Sequence, residues 1–170
     1  MIRRSVVLFG LLSILVSSKS FAQEAKFQSI FMYNFTRYIK WPDAMMSGNF
    51  VIGVYGGSDV YDELQKMAEA KGETQGLAMV IEKYNTVNEI KKCHILFVSK
   101  DKVNELQQIG TISSLNSTLI VTDSPGQAKK GSTINFVEVD GRIKFALNQD
   151  NAAKRNLKVS SSLTSLAILV

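Results

Sequence analysis

The chain has 170 residues, 45% of them hydrophobic, with 20 basic against 15 acidic side chains, one cysteine, one histidine and two prolines. A lone Cys and a lone His cannot supply a metal-ligand set or a disulfide within the chain, and no repeat, low-complexity tract or proline-rich linker divides it. The formal charge of +5 argues little for nucleic acid, because much of it sits in a removable leader.

Met1 to Ala22 reads as a secretory signal peptide. Arg3 and Arg4 precede an apolar run from Val6 to Val16, and Ser20-Phe21-Ala22 places small residues at the cleavage positions. The run is short for a membrane span. Its removal takes Arg3, Arg4 and Lys19 and no acid, leaving 17 basic against 15 acidic residues, or +2. Residues 23–170 then form one exported domain, long enough for a real core and without general attraction for nucleic acid.

Glu24 to Lys40 predicts an amphipathic helix. Phe27, Ile30, Phe31, Asn34, Phe35 and Tyr38 recur at helical spacing as the inner face, with Lys26, Ser29, Tyr33, Arg37 and Lys40 opposite. Trp41-Pro42 ends it, since a residue before proline is pushed out of the helical region. A core helix with a proline stop explains the pattern. Arg37, Lys40 and Trp41 are also candidate partner-binding residues, Trp and Arg being favoured anchors.

Asn49 to Tyr55 predicts a strand, then Gly56-Gly57-Ser58-Asp59 and a helix to about Lys71. A glycine turn between strand and helix offers backbone N–H groups to a phosphate, so Gly56, Gly57 and Ser58 are candidate ligand-binding residues. The full dinucleotide fingerprint is missing, and a tight turn capped by Ser58 or Asp59 is the plainer account. Leu77 to Tyr84 and His94 to Ser99 predict two more strands. Ile95-Leu96-Phe97-Val98, apolar on both faces, belongs at the centre of a sheet. A small helix over Lys102 to Ile109, a strand over Thr118 to Thr122 and a turn over Pro125 to Lys130 follow.

Val139-Asp140-Gly141-Arg142 is the strongest turn signal, an Asp-Gly pair suited to a two-residue type I′ hairpin. Closing it pairs Val139 with Arg142, Val137 with Lys144, Phe136 with Phe145 and Ile134 with Leu147. Ile134, Phe136, Ile143, Phe145 and Leu147 then share a core face, and Arg142 and Lys144 lie on the other beside Val137 and Val139. That mixed basic and apolar surface makes Arg142 and Lys144 candidate partner-binding residues. Asn148 is placed to cap a short helix with Asp150 in its first turn and Lys154 and Arg155 in its last, and Asn156 is a left-handed stop. Leu157 to Ser160 reads as extended. Ser161 or Ser162 then caps a final helix with Leu163, Leu166, Ala167 and Val170 on one side. Alternating strands and helices closed by a hairpin predict an α/β fold, a three-layer α/β/α sandwich with a mixed sheet.

Three segments carry a family resemblance. FMYNFTRYIKWP at Phe31 to Pro42, CHILFVS at Cys93 to Ser99, and the ending GSTINF…IKFALNQDNAAKRNLKVSSSLTSLA resemble the YfiR family of bacterial periplasmic regulators, in the family's order. The resemblance runs from about residue 24 to the end. It implies a Rossmann-like fold and a non-enzymatic role in the periplasm: binding the periplasmic region of an inner-membrane diguanylate cyclase and repressing it, which lowers cyclic di-GMP and biofilm output. It further implies an outer-membrane lipoprotein that relieves repression, and a homodimer. An alternative is a small-ligand-binding or sensing module of another envelope system. Better-known members carry extra cysteines that form disulfides; this chain keeps only Cys93, so redox control does not carry over.

No catalytic constellation emerges from the residues. Cys93 and His94 are adjacent on an extended segment, so their side chains point to opposite faces and cannot act together. Asp123 follows a strand, where a turn acid is the usual explanation. The sequence thus predicts no cofactor, no metal site and no catalytic residue.

Overall fold

The computed structural model describes residues 22–170; the predicted signal peptide lies outside them but for its last residue. Helix α1 covers 22–38. It is followed by β1 (Ile39–Lys40), β2 (Phe50–Tyr55), α2 (Val60–Lys71), β3 (Glu73–Thr74), β4 (Leu77–Tyr84), β5 (Ile95–Val98), α3 (Leu106–Gly110) and β6 (Leu119–Thr122). The hairpin β7 (Ile134–Val139) and β8 (Arg142–Leu147), then α4 (Gln149–Lys154), β9 (Lys158–Val159), α5 (Ser161–Leu166) and β10 (Ile168–Leu169) complete the chain.

Eight strands form one sheet in the order β10-β8-β7-β6-β5-β2-β4-β3. Its middle is parallel, and β8 and β3 run antiparallel to their partners β7 and β4. β5 lies next to β2, fully buried along its four residues, as an apolar run must be when both faces are covered. One face carries the larger core, in which Met32 and Phe35 of α1 and Val60 and Leu64 of α2 pack with Ile52, Phe97, Phe136 and Phe145. The other face carries a smaller core in which Leu106 and Ile109 of α3 meet Leu96, Val98 and Ile120. The predicted α/β layering and mixed sheet are therefore observed, with one helical layer much thinner than the other.

The hairpin register matches the expectation pair by pair, from Val139 with Arg142 to Ile134 with Leu147. Asp140 and Gly141 both have positive φ, 52° and 69°, as a type I′ turn requires. Asn148 caps α4, its side chain accepting from Asn151 N at 2.9 Å, and Asn156 is left-handed at φ 58°.

Expectations for the first and last helices are corrected. The inner face of α1 is Ala25, Gln28, Ser29, Met32, Phe35 and Thr36, whereas Phe27, Ile30 and Tyr38 are exposed. The helix is turned by one residue, about 100°, from the predicted face. Its buried polar groups find partners: Ser29 Oγ donates to Lys26 O at 2.8 Å, and Thr36 Oγ1 lies 2.7 Å from Tyr33 O and 2.6 Å from Thr74 Oγ1 on β3. The helix also stops at 38, because Ile39 and Lys40 pair with Val159 and Lys158. At the C-terminal end, Ser160 rather than Ser161 or Ser162 is the cap, accepting from Leu163 N at 3.3 Å. The six-residue α5 then gives way to β10, parallel to β8, so Leu163 is buried while Leu166 is 69% exposed.

Candidate functional site

The hairpin tip and the start of α1 enclose an open groove of about 530 Å³. Phe27, Phe31 and Ile143 supply its apolar wall, and Arg142, Glu138 and Glu24 its charged rim. Phe31 is fixed by aromatic contacts across the core, 5.8 Å to the Phe145 ring and 6.0 Å to Phe136, which tie α1 to both hairpin strands. Phe27, one turn earlier, has no such cover and is 45% exposed. Arg142 and Lys144 are exposed, and Val137 and Val139 beside them are half-buried. The two-residue turn thus holds basic groups and apolar side chains at one sheet corner.

The other predicted partner residues do not join this corner. Arg37 and Lys40 are exposed, but Arg37 lies about 15 Å along α1 from Phe27 at 1.5 Å per residue. Trp41 is only 5% exposed, so it cannot serve as a surface anchor. Its Nε1 donates to His94 O at 3.0 Å, and its ring stands edge-on to Phe50 at 5.1 Å. The indole finds its hydrogen-bond partner inside the core, which is what allows it to be buried.

The Gly56-Gly57-Ser58 turn sits in a crevice at the carboxyl ends of the strands, where α/β sheets bind ligands. Gly56 has φ 98°, and a Cβ there would lie 2.0 Å from Ser99 Oγ, so glycine is required by close packing. The Ser99 hydroxyl donates to the Asp101 carboxylate and, with a smaller contribution from the Gly57 N–H turned toward it, holds Asp101 below the usual carboxylate range. Ser58 Oγ accepts from Val60 N at 3.2 Å. The turn's polar groups therefore serve its own neighbours. The rest of the crevice is acidic, with Glu24, Asp59 and Asp123 against Lys100. Burial raises the Asp123 carboxyl, and the Glu24 charge adds to the effect. Such a lining disfavours a phosphate.

Cys93 and His94 occupy the two different cores, as their adjacency requires. Cys93 is buried in the smaller one, and burial pushes its thiol up to about 12. His94 stacks on Phe50 at 4.2 Å in the larger one. Its Nδ1 accepts from Val51 N at 3.1 Å, so Nε2 carries the proton given to Met45 O at 2.7 Å. Both nitrogens are used in the neutral ring, and burial lowers its pKa. Among the described residues no group of three His, Cys, Asp or Glu could hold a metal, and no helix is long and apolar enough to cross a membrane.

Sequence reasoning missed Phe27, Ile30 and Tyr38 as surface residues. The available signal was Gln28 and Thr36, whose side chains donate to Glu24 Oε1 and to Tyr33 O within one helical turn and so need no solvent.

The sequence model of the YfiR/HmsC-like family matches residues 25–168. No curated protein matches the chain. Among solved structures, a conserved domain protein from Vibrio cholerae O1 biovar El Tor is similar at a TM-score of 0.52 and 10% identity. The alignment covers 85% of this chain and 59% of that one, a likeness of fold alone.

Proposed function

The chain belongs to the YfiR/HmsC-like family, and on that premise we propose that it is an exported, periplasmic regulator that binds the periplasmic region of an inner-membrane diguanylate cyclase and represses it. The reading is regulatory, with the leader 1–22 removed and 23–170 as the working domain. Lower cyclic di-GMP and reduced biofilm output are its consequences. An outer-membrane lipoprotein that relieves repression and self-association of the regulator belong to the same proposal.

The observation that supports a partner surface is the corner between α1 and the hairpin. Phe27, Phe31 and Ile143 make an apolar wall inside a rim of Arg142, Glu138 and Glu24. Protein partners favour apolar centres with polar rims. A regulator shifts its target only by preferring one of the target's states, so repression requires tighter binding to the inactive cyclase. The small-ligand alternative at Gly56, Gly57 and Ser58 is the weaker reading, because those groups are engaged by Asp101 and Val60.

The test is direct binding of the purified protein to the isolated periplasmic region of a membrane cyclase encoded beside its gene, with cyclic di-GMP measured in cells. Binding together with a fall in cyclic di-GMP on expression is the expected result. Absence of both refutes the proposal.

A further inference from the structure

At the amino-terminal end of β6, opposite the acidic crevice, a pocket of about 430 Å³ lies between α3 and α4. Three of its lining residues, Lys130, Lys154 and Arg155, are cationic, and none is acidic. With 17 basic and 15 acidic residues outside the predicted leader, composition alone does not account for that segregation.

Arg155 is the informative member. It caps the C-terminal end of α4 and is half-buried. Its Nη1 donates to Leu115 O at 2.7 Å, which holds the guanidinium in place. A guanidinium has five N–H donors, and among the described residues no other acceptor and no carboxylate engages this one. Burying a charge part-way without a counter-charge is costly, and burial lowers its pKa. Lys130 and Lys154 remain exposed, free to reach a shared ligand, and Gln107 and Asn116 add amide donors on the same wall.

We propose that the α3–α4 pocket binds a small molecule bearing an oxyanion, a carboxylate or a phosphate, with Arg155 as anchor and Lys130 and Lys154 at the mouth. Arg suits both groups because its planar fork donates two parallel hydrogen bonds. The volume falls within the range of small-molecule sites. This site shares no lining residue with the groove at the hairpin tip, so it stands apart from the partner-binding reading.

Citrate and inorganic phosphate, titrated separately into the purified protein by calorimetry at low ionic strength, test the proposal. Saturable binding of at least one is expected, weakened about tenfold or more by Arg155→Gln. Lys130→Glu with Lys154→Glu should weaken it similarly while altering only exposed side chains, so it decides the matter even if Arg155→Gln unfolds. Arg142→Glu with Lys144→Glu should leave binding unchanged. Citrate alone assigns a carboxylate ligand, and phosphate alone a phosphate. No saturable binding of either anion, or an equal loss in the hairpin variant, overturns the proposal.

Discussion

Trp41 and the Arg142–Lys144 pair are both candidate partner-binding residues by type, and the fold sends them to opposite fates. Trp41 is buried edge-on against the stacked rings of Phe50 and His94, and its N–H donates to a backbone carbonyl. Arg142 and Lys144 stay in solvent at a sheet corner, Arg142 on the rim of an apolar groove and Lys144 on the hairpin face opposite that groove. Residue type alone does not separate a binding anchor from a core residue. What separates them is whether the polar handle finds a partner inside, since an indole can be satisfied by one acceptor and an unpaired ammonium or guanidinium cannot.

The comparison breaks most visibly at Trp41. Trp41→Ala removes a buried aromatic ring and leaves a cavity next to Phe50, and it is expected to cost about 3–5 kcal/mol. Thermal or urea unfolding measures it. The same variant should expose Cys93 to thiol reagents. In the native protein the buried, high-pKa thiol reacts only when the chain opens, so labelling should accelerate in step with lost stability. Fast labelling of the unaltered protein would contradict the burial of Cys93.

His94 gives the next effect. Its folded pKa lies below the ordinary value, because burial disfavours the charged ring and Nδ1 must stay unprotonated to accept from Val51 N. The unfolded chain takes up this proton near pH 6.5, while the folded chain does not. The stability His94 contributes is therefore full above that pH and is lost as pH falls toward its folded pKa, by up to about 1.4 kcal/mol per unit. His94→Gln should flatten the fall between pH 7 and pH 5. Parallel curves for the two proteins would show that His94 is not the titrating group.

The hairpin was legible because two local signals agree: Asp140-Gly141 demands a type I′ turn, and alternation on either side admits one register. The α4 cap was legible for the same reason, Asn148 lying three residues before the N–H it accepts. The face of α1 was not, because Phe27, Ile30 and Tyr38 score as core by hydropathy while Gln28, Ser29 and Thr36 are buried through nearby or tertiary partners. Strands β1, β3, β9 and β10 have two residues each, too few for any period. The Gln75-Gly76 turn was hidden as well. Gln is an unusual residue at φ 52°, and its side chain instead donates to Thr36 O and, at 3.0 Å, to Ile39 O, closing the end of α1. The basic pocket assembles residues from 106 to 155, a proximity that only the folded sheet creates.

The smallest effect on stability, and the sharpest test of the comparison, belongs to the hairpin corner. Arg142→Glu with Lys144→Glu reverses two exposed charges on β8 and leaves Phe145 in the core. Neither cation has an ion-pair partner within 4 Å among the described residues, so little folding energy is at stake. The unfolding midpoint should stay within about 2 °C of the parent. Phe27→Ser, on the groove wall opposite, should be similarly mild, since that ring is already 45% exposed. If the corner is where the cyclase docks, both variants should fold normally and yet bind its periplasmic region at least about tenfold more weakly, a loss typical of interface anchors. Trp41→Ala makes the control that completes the argument: its folded fraction should bind like the parent, because the residue is not on the surface. Normal binding by both corner variants would move the interface elsewhere. Weak binding by folded Trp41→Ala would mean that the core, through the geometry of α1, sets the groove's shape.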